Sequence, residues 1–297
     1  MIKNITRAMR LPFITASVFP FIFGSLIAKG SLDPLTFLLG LIAASSSHLS
    51  ANLINDYADS KTGADWKDKT FFGFFGGSKL IQEGELSERF YLKLSLFFAA
   101  LASASVIALA FILKSVLIIF LFVFIIILSW QYSQPPLRLC YRRLGEIFIF
   151  MLFGPAAVMG GYFIQTGVFP HRPSLLLSLP FGFFITNILF ANEVPDYPQD
   201  KEAGKFTWVS ITGPEKAYIL YIIIMAASFT SIGINIYLGY ISPLAALSFP
   251  LIIPVIKAVS ILKKSYNDKN RLVMSSKLTI AVHNIASIIC IAAILLG

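Results

Sequence analysis

The sequence predicts an all-α fold, a polytopic helix bundle embedded in a membrane, and three observations predict it. Of its 297 residues, 57% are hydrophobic and only 13% charged, against about 25% charged in an ordinary soluble domain. Mean hydropathy is +0.78, and the apolar residues gather into runs near the ~20 needed to cross a bilayer. Basic residues, finally, collect in alternate connections between those runs, as Lys and Arg do on the cytoplasmic side.

The elements follow in order. The basic start, MIKNITRAMR, leads into an apolar segment that is long and lacks a small-residue cleavage site, so 11–29 reads as the first span. The second covers 35–55, where LTFLLGLIAASSSHLSA runs directly into the polar stretch NLINDYADSKTGAD. Only Lys114 and Ser115 part the third and fourth, 90–112 and 115–131. The fifth, sixth and seventh occupy 144–165, 174–193 and 215–238. The eighth, 242–262, contains Pro243, Pro250 and Pro254; it is expected to kink, with bundle neighbours re-satisfying the freed carbonyls. The ninth is 277–296. No linker or low-complexity tract divides the chain, so 1–297 reads as a single membrane domain.

Charge tests this count. With nine spans, the N-terminus and the connections after the second, fourth, sixth and eighth share one side. Of the 24 Lys and Arg, all but Lys29, Lys114, Arg172 and Lys257 fall in those segments or at their edges, and Lys257 can snorkel from within its span. That side is expected to be cytoplasmic, with the C-terminus across a cell inner or plasma membrane. Anionic headgroups account for the net charge of +9 without a nucleic-acid partner. Cys140, in a cytoplasmic loop, and Cys290, toward the far side, are not expected to form a disulfide.

Of the 15 Asp and Glu, only Asp33 lies away from the cytoplasmic face. Ion-coupled transporters place carboxylates near the bilayer midplane, and this chain has none there. A transporter is the reading from another class; it would need polar groups along a path between both faces. If the second helix continues into NLINDYADSKTGAD, then Asn52, Asn55, Asp56 and Asp59 share one face at steps of three and four. Ser45 and His48 extend that stripe inward, His48 as a hydrogen-bonded interior residue rather than a base. Clustered carboxylates repel one another unless a cation lies between them, and hard oxygen ligands suit Mg²⁺ shared with substrate phosphates.

A second cluster, NEVPDYPQDKEAGK, spans 192–205. Asn192, Asp196 and Asp200 step by four, echoing the first cluster, although Pro195 and Pro198 argue against a straight helix through them. One Asp-rich helix end is ordinarily a solvated terminus; two, each entered by Asn on one membrane face, fit that account less well. Facing each other, they suit metal ions that bridge a diphosphate and ease its departure.

NDYAD followed by GAD, and later PDYPQDKEAGK, resemble the two aspartate-rich motifs of the UbiA superfamily of intramembrane prenyltransferases. GGSKLIQEGELS and YSQPPLRLCYRRLGE resemble its other cytoplasmic loop segments, so the likeness covers the loops from Asn52 to about Gly213. The common first motif reads N-D-x-x-D-x-x-x-D. Asn55, Asp56 and Asp59 match it, while Gly63 stands at the last position and an aspartate is displaced to Asp65. This form, with Asp196, Asp200, Gly204 and Lys205 in the second motif, is most similar to the dihydroxynaphthoate polyprenyltransferases of menaquinone biosynthesis. A basic residue expected just before Gly213 is missing from WVSITG, a departure that bears on the acceptor more than on the reaction class.

The resemblance implies a nine-helix bundle with cytoplasmic cap loops. It also implies a reaction in which a polyprenyl diphosphate binds Mg²⁺ through both motifs, ionises toward an allylic cation and alkylates an aromatic acceptor, here dihydroxynaphthoate. Hydroxybenzoate and homogentisate are the alternative acceptors. Asp56, Asp59, Asp196 and Asp200 are then the catalytic metal ligands together with Asn52. Asn52, Asn55, Lys79, Arg138, Lys201 and Lys205 are the candidates to hold the diphosphate. Each of these cations has an alternative reading as an ordinary positive-inside residue. FFGFFGGSK lacks the G-K-[ST] ending of a phosphate loop, so its glycines are expected to let it lie over the site and exclude water. Tyr132 and Tyr197, with Tyr57 and Trp130, are candidates to stabilise a cation or to form an interfacial aromatic belt.

Overall fold

A computed structural model describes residues 2–63, 66 and 69–297. Helices account for every named element among them: α1 (Ile2–Ala8), a 3₁₀ turn (Leu11–Phe13), α2 (Thr15–Ile27), α3 (Pro34–Thr62), α4 (Glu88–Leu113) and α5 (Leu117–Gln131). After a 3₁₀ turn at Leu139–Tyr141 come α6 (Gly145–Met151), a π-helical turn (Leu152–Ala156), α7 (Ala157–Thr166), α8 (Arg172–Glu202) and α9 (Val209–Thr212). The chain closes with α10 (Ala217–Tyr237), a 3₁₀ helix (Pro243–Leu251), α11 (Ile252–Lys264) and α12 (Lys269–Leu296).

Seven of these rods are long and apolar enough to cross a membrane. The apolar helices Leu11–Ile27 and Leu117–Gln131 are shorter than 18 residues, so length and composition do not establish the expected nine spans. Large apolar side chains cover the outer surface: Phe111 is 80% exposed, Phe120 70% and Ile253 70%. In water such a surface would be untenable; against lipid it is the solvated face. The chain is an integral membrane protein.

Helix ends obey local chemistry. Asp33 Oδ1 accepts from the Thr36 N–H at 2.8 Å to cap α3, Ser87 caps α4 and Asp268 caps α12. Lys114, with φ at 49°, ends α4 at the predicted break before α5. The proline-rich eighth span is a 3₁₀ helix passing into α11.

One expectation is overturned. α8 runs unbroken to Glu202 through Pro195 and Pro198. Proline's fixed φ is itself helical; its cost is a missing N–H and a crowded carbonyl one turn back. Within a bundle, neighbouring groups can take up freed carbonyls, so the acidic turns stay on one rod.

Packing between rods relies on small residues. A Cβ built on Gly24 of α2 would lie 2.0 Å from the Val158 carbonyl oxygen of α7, and one on Gly161 would lie 2.5 Å from that of Phe21. Such backbone contact is how membrane helices gain dispersion energy without a hydrophobic drive. The rings of Phe23 and Phe181 meet at 4.7 Å, tilted by 44°, in the main core, which also holds Tyr221 and Leu262.

Candidate functional site

The acidic clusters on α3 and α8 meet at one cleft. α3 stays helical to Thr62 and ends at Gly63, φ 82°, which keeps Asn52, Asn55, Asp56 and Asp59 on consecutive turns. Asn55 and Asp59 line the cleft from this side, with Asn55 Nδ2 donating to Asp59 Oδ2 at 3.5 Å. Asp196 and Asp200 line it from α8, with Asn192 and Glu193.

The 71–79 loop lies between them. Gly76 and Gly77 adopt φ of 73° and 74°, and Lys79 follows at 61°. Glycine enters this left-handed region without steric cost, whereas lysine does not. The resulting turn aims backbone donors both ways: the Gly76 N–H donates to Asp196 Oδ2 at 2.9 Å, and the Ser78 N–H to Asp56 Oδ2 at 3.1 Å. Phe72 and Phe75 stack at 5.0 Å along the same loop and line the cleft.

Cations surround the carboxylates. Lys79 is 4% exposed and lines the cleft. Lys205 Nζ lies 3.3 Å from Asp200 Oδ1. Burial alone would lower the Lys205 pKa, but the charges of Asp200 and Asp59 outweigh it and hold the ammonium well above the usual lysine range. Tyr132 lines the cleft too, its phenol pushed up chiefly by burial.

Other candidates are placed elsewhere. Asn52 is half-buried and outside the cleft lining. Arg138, φ 45°, lays its guanidinium over the Tyr141 ring at 5.5 Å. Lys201 is exposed and sits 6.0 Å from the ring centre of Tyr197, and neither lines the cleft. Tyr57 packs in an apolar cluster, and Trp130 donates to Ser50 at 3.3 Å. His48 is an interior residue bonded to Ser17 at 2.9 Å. Asp65 lies outside the described residues. Both cysteines are free.

Sequence reasoning missed Arg10, Lys269 and Glu193. Arg10 lines the cleft with Nη1 3.7 Å from Asp56 Oδ1, and Lys269 reaches it from the start of α12. As basic residues at helix ends, both look like ordinary topogenic charges in sequence. Glu193 stood within the second motif and carried a signal, a carboxylate one turn deeper than Asp196.

Cleft-lining metal donors are carboxylate and carboxamide oxygens, with no Cys or His among them, a set suited to hard cations. Among the described residues no three Asp, Glu, His or Cys side chains converge to hold an ion by themselves. Among hard cations, Mg²⁺ keeps several waters and takes one or two protein carboxylates together with substrate phosphates.

The UbiA prenyltransferase family model matches residues 17–285. UbiA prenyltransferase domain-containing protein 1 of Xenopus tropicalis is 29% identical over 222 residues, covering 72% of this chain and 61% of that protein. The chain thus spans less than two thirds of that relative's length. The 1,4-dihydroxy-2-naphthoate octaprenyltransferase of Escherichia coli (strain K12) is also 29% identical, over 219 residues, 71% of this chain and 68% of that one. A UbiA homolog from Aeropyrum pernix K1 superposes with a TM-score of 0.74 at 16% identity, covering 95% and 97% of the two chains. A UbiA homolog from Archaeoglobus fulgidus bound to DMAPP and Mg2+ does so at 0.63 and 19% identity, over 95% and 98%. At such identities these structures speak for the fold.

Proposed function

The chain belongs to the UbiA prenyltransferase family, and from that premise we propose that it transfers a polyprenyl group from its diphosphate to an aromatic acceptor, dihydroxynaphthoate. One observation carries the reading: Asp56 and Asp196 are tied to neighbouring N–H groups of one loop, so a single ligand head can meet both acidic clusters. The names of the Escherichia coli and Bacillus subtilis relatives support naphthoate as the acceptor.

Asp59, Asp196 and Asp200, with Asp56 behind them, would hold Mg²⁺. Bound there, the ion would neutralise charge building on the departing diphosphate. Lys79, buried, and Lys205 and Arg10, half-buried, face the same head and stabilise its leaving charge. Phe72 and Phe75 shield the cleft from water, which would otherwise quench an allylic cation. The Tyr132 ring offers such a cation its π face. The topology that suits this chemistry has nine spans, with the N-terminus and the cleft on the cytoplasmic side.

The test is direct incubation. Purified protein, Mg²⁺ and a long-chain prenyl diphosphate are mixed with dihydroxynaphthoate, hydroxybenzoate or homogentisate, and products are identified by mass spectrometry. Prenylated naphthoate product is expected; product from another ring alone would overturn the acceptor, and product from none would overturn the reaction.

A further inference from the structure

Tyr91 of α4 has no exposed surface and sits in a small apolar cluster with Leu53, Leu80 and Ile81. Phenylalanine would fill that cluster as well, and a phenol buried without a partner costs stability. The hydroxyl is thus explained by its partner, not by packing. It shares a hydrogen bond of 2.5 Å with the Ser78 hydroxyl, and Ser78, 2% exposed, immediately precedes Lys79.

Lys79 needs such a hold. Its φ of 61° lies in the left-handed region, where a lysine persists only if its surroundings over-determine the backbone. On one side Ser78 is fixed twice, its N–H by Asp56 Oδ2 at 3.1 Å and its side chain by Tyr91. On the other, Leu80 is wholly buried and the Lys79 carbonyl accepts from the Glu83 N–H at 2.9 Å. The Lys79 side chain folds back over Gly76: a Cβ there would lie 3.4 Å from Lys79 Cε, 3.7 Å from its Nζ and 3.6 Å from Asp196 Oδ1. Ammonium and carboxylate therefore flank one turn at the cleft. Asp56 belongs to the acidic cluster itself, whereas Tyr91 stands outside the cleft lining, so its hydroxyl can be removed without touching a ligand.

We infer that Tyr91 is a positioning residue: through the Ser78 hydroxyl it fixes the backbone that aims Lys79 at the diphosphate. The inference rests on the prenyl-transfer reading above. It brings α4, which supplies no cleft-lining side chain among the described residues, into the grip on the prenyl donor.

The experiment measures Mg²⁺-dependent binding of a long-chain prenyl diphosphate, steady-state transfer to dihydroxynaphthoate and thermal unfolding in detergent. It compares wild type, Tyr91→Phe, Ser78→Ala, Lys79→Met and Tyr91→Phe combined with Lys79→Met. Tyr91→Phe and Ser78→Ala should each weaken prenyl diphosphate binding about three- to tenfold and leave the dihydroxynaphthoate KM unchanged. Lys79→Met should weaken binding at least as much, and adding Tyr91→Phe to it should cost little more. A tyrosine that served packing alone would lower the unfolding temperature and leave prenyl diphosphate binding by the folded protein at the wild-type level. That result, binding indifferent to Ser78→Ala or to Lys79→Met, an acceptor KM that rises as much as donor binding falls, or additive penalties with Lys79→Met would each overturn the assignment. Should Tyr91→Phe fail to fold, Ser78→Ala, alone and with Lys79→Met, decides on the same criteria. Wild-type protein that binds no prenyl diphosphate would end the underlying reading as well, and is distinguishable from wild-type binding that Tyr91→Phe leaves unmoved.

Discussion

Asp196 and Asp56, on different helices, accept hydrogen bonds from N–H groups two residues apart: Gly76 at 2.9 Å and Ser78 at 3.1 Å. Two residues of chain span at most about 7 Å, so the loop limits how far the carboxylates can separate. A compact phosphate head between them fits that limit. Asp56→Ala and Asp196→Ala should each lower turnover at least about a hundredfold while the protein stays folded in detergent. Product formation and thermal unfolding, measured side by side, check this; wild-type turnover in either variant would remove that cluster from the metal site.

Chelation separates metal chemistry from scaffold. Excess EDTA should stop transfer, and Mg²⁺ should restore it, with the unfolding temperature of substrate-free protein nearly unmoved. A large loss of stability on chelation would indicate a structural ion instead.

Lys205 gives a signed pH prediction. Burial opposes its charge, but Asp200 and Asp59 outweigh burial and raise its folded pKa above the ordinary 10.5. A raised folded pKa contributes stability that is fully present below the unfolded value and lost as pH rises through the folded one. In metal-free protein the stability gap between wild type and Lys205→Met should therefore be flat from about pH 7 to 10 and narrow only above that. Unfolding at a series of pH values tests it; a gap that closes near neutrality would contradict the ion pair with Asp200.

Gly24 tests the scaffold alone. A methyl there would lie 2.0 Å from the Val158 carbonyl oxygen, which is backbone and cannot rotate away. Gly24→Ala should push α2 from α7 and cost about 1–3 kcal/mol of stability. Gly160→Ala, where a Cβ meets nothing within 4 Å, is the control and should unfold like wild type.

How much of this was legible beforehand differs by residue. Asp56, Asp59, Asp196 and Asp200 stood out because helical steps of three and four mark a common face in one dimension. The run through Pro195 and Pro198 was misjudged because local rules charge proline its full cost, while a bundle supplies other partners for the freed carbonyls. Lys201 and Lys205 sit in the same motif, yet only Lys205 lines the cleft; which way each points depends on the turn after α8.

By itself the sequence determined the membrane setting, the approximate helix positions, the two acidic stretches and the likeness to a family of enzymes. The first three follow from composition and from short-range periodicity, which water and lipid read locally; the likeness rests on the residues of the loop motifs. Only the tertiary structure decided that Arg10 and Lys269 reach the cleft, that one loop ties Asp56 to Asp196, and that Glu193 joins the cleft wall. Those relations join segments far apart along the chain, and their geometry is set by how whole helices pack, through contacts such as Gly24 against Val158 that no local pattern encodes.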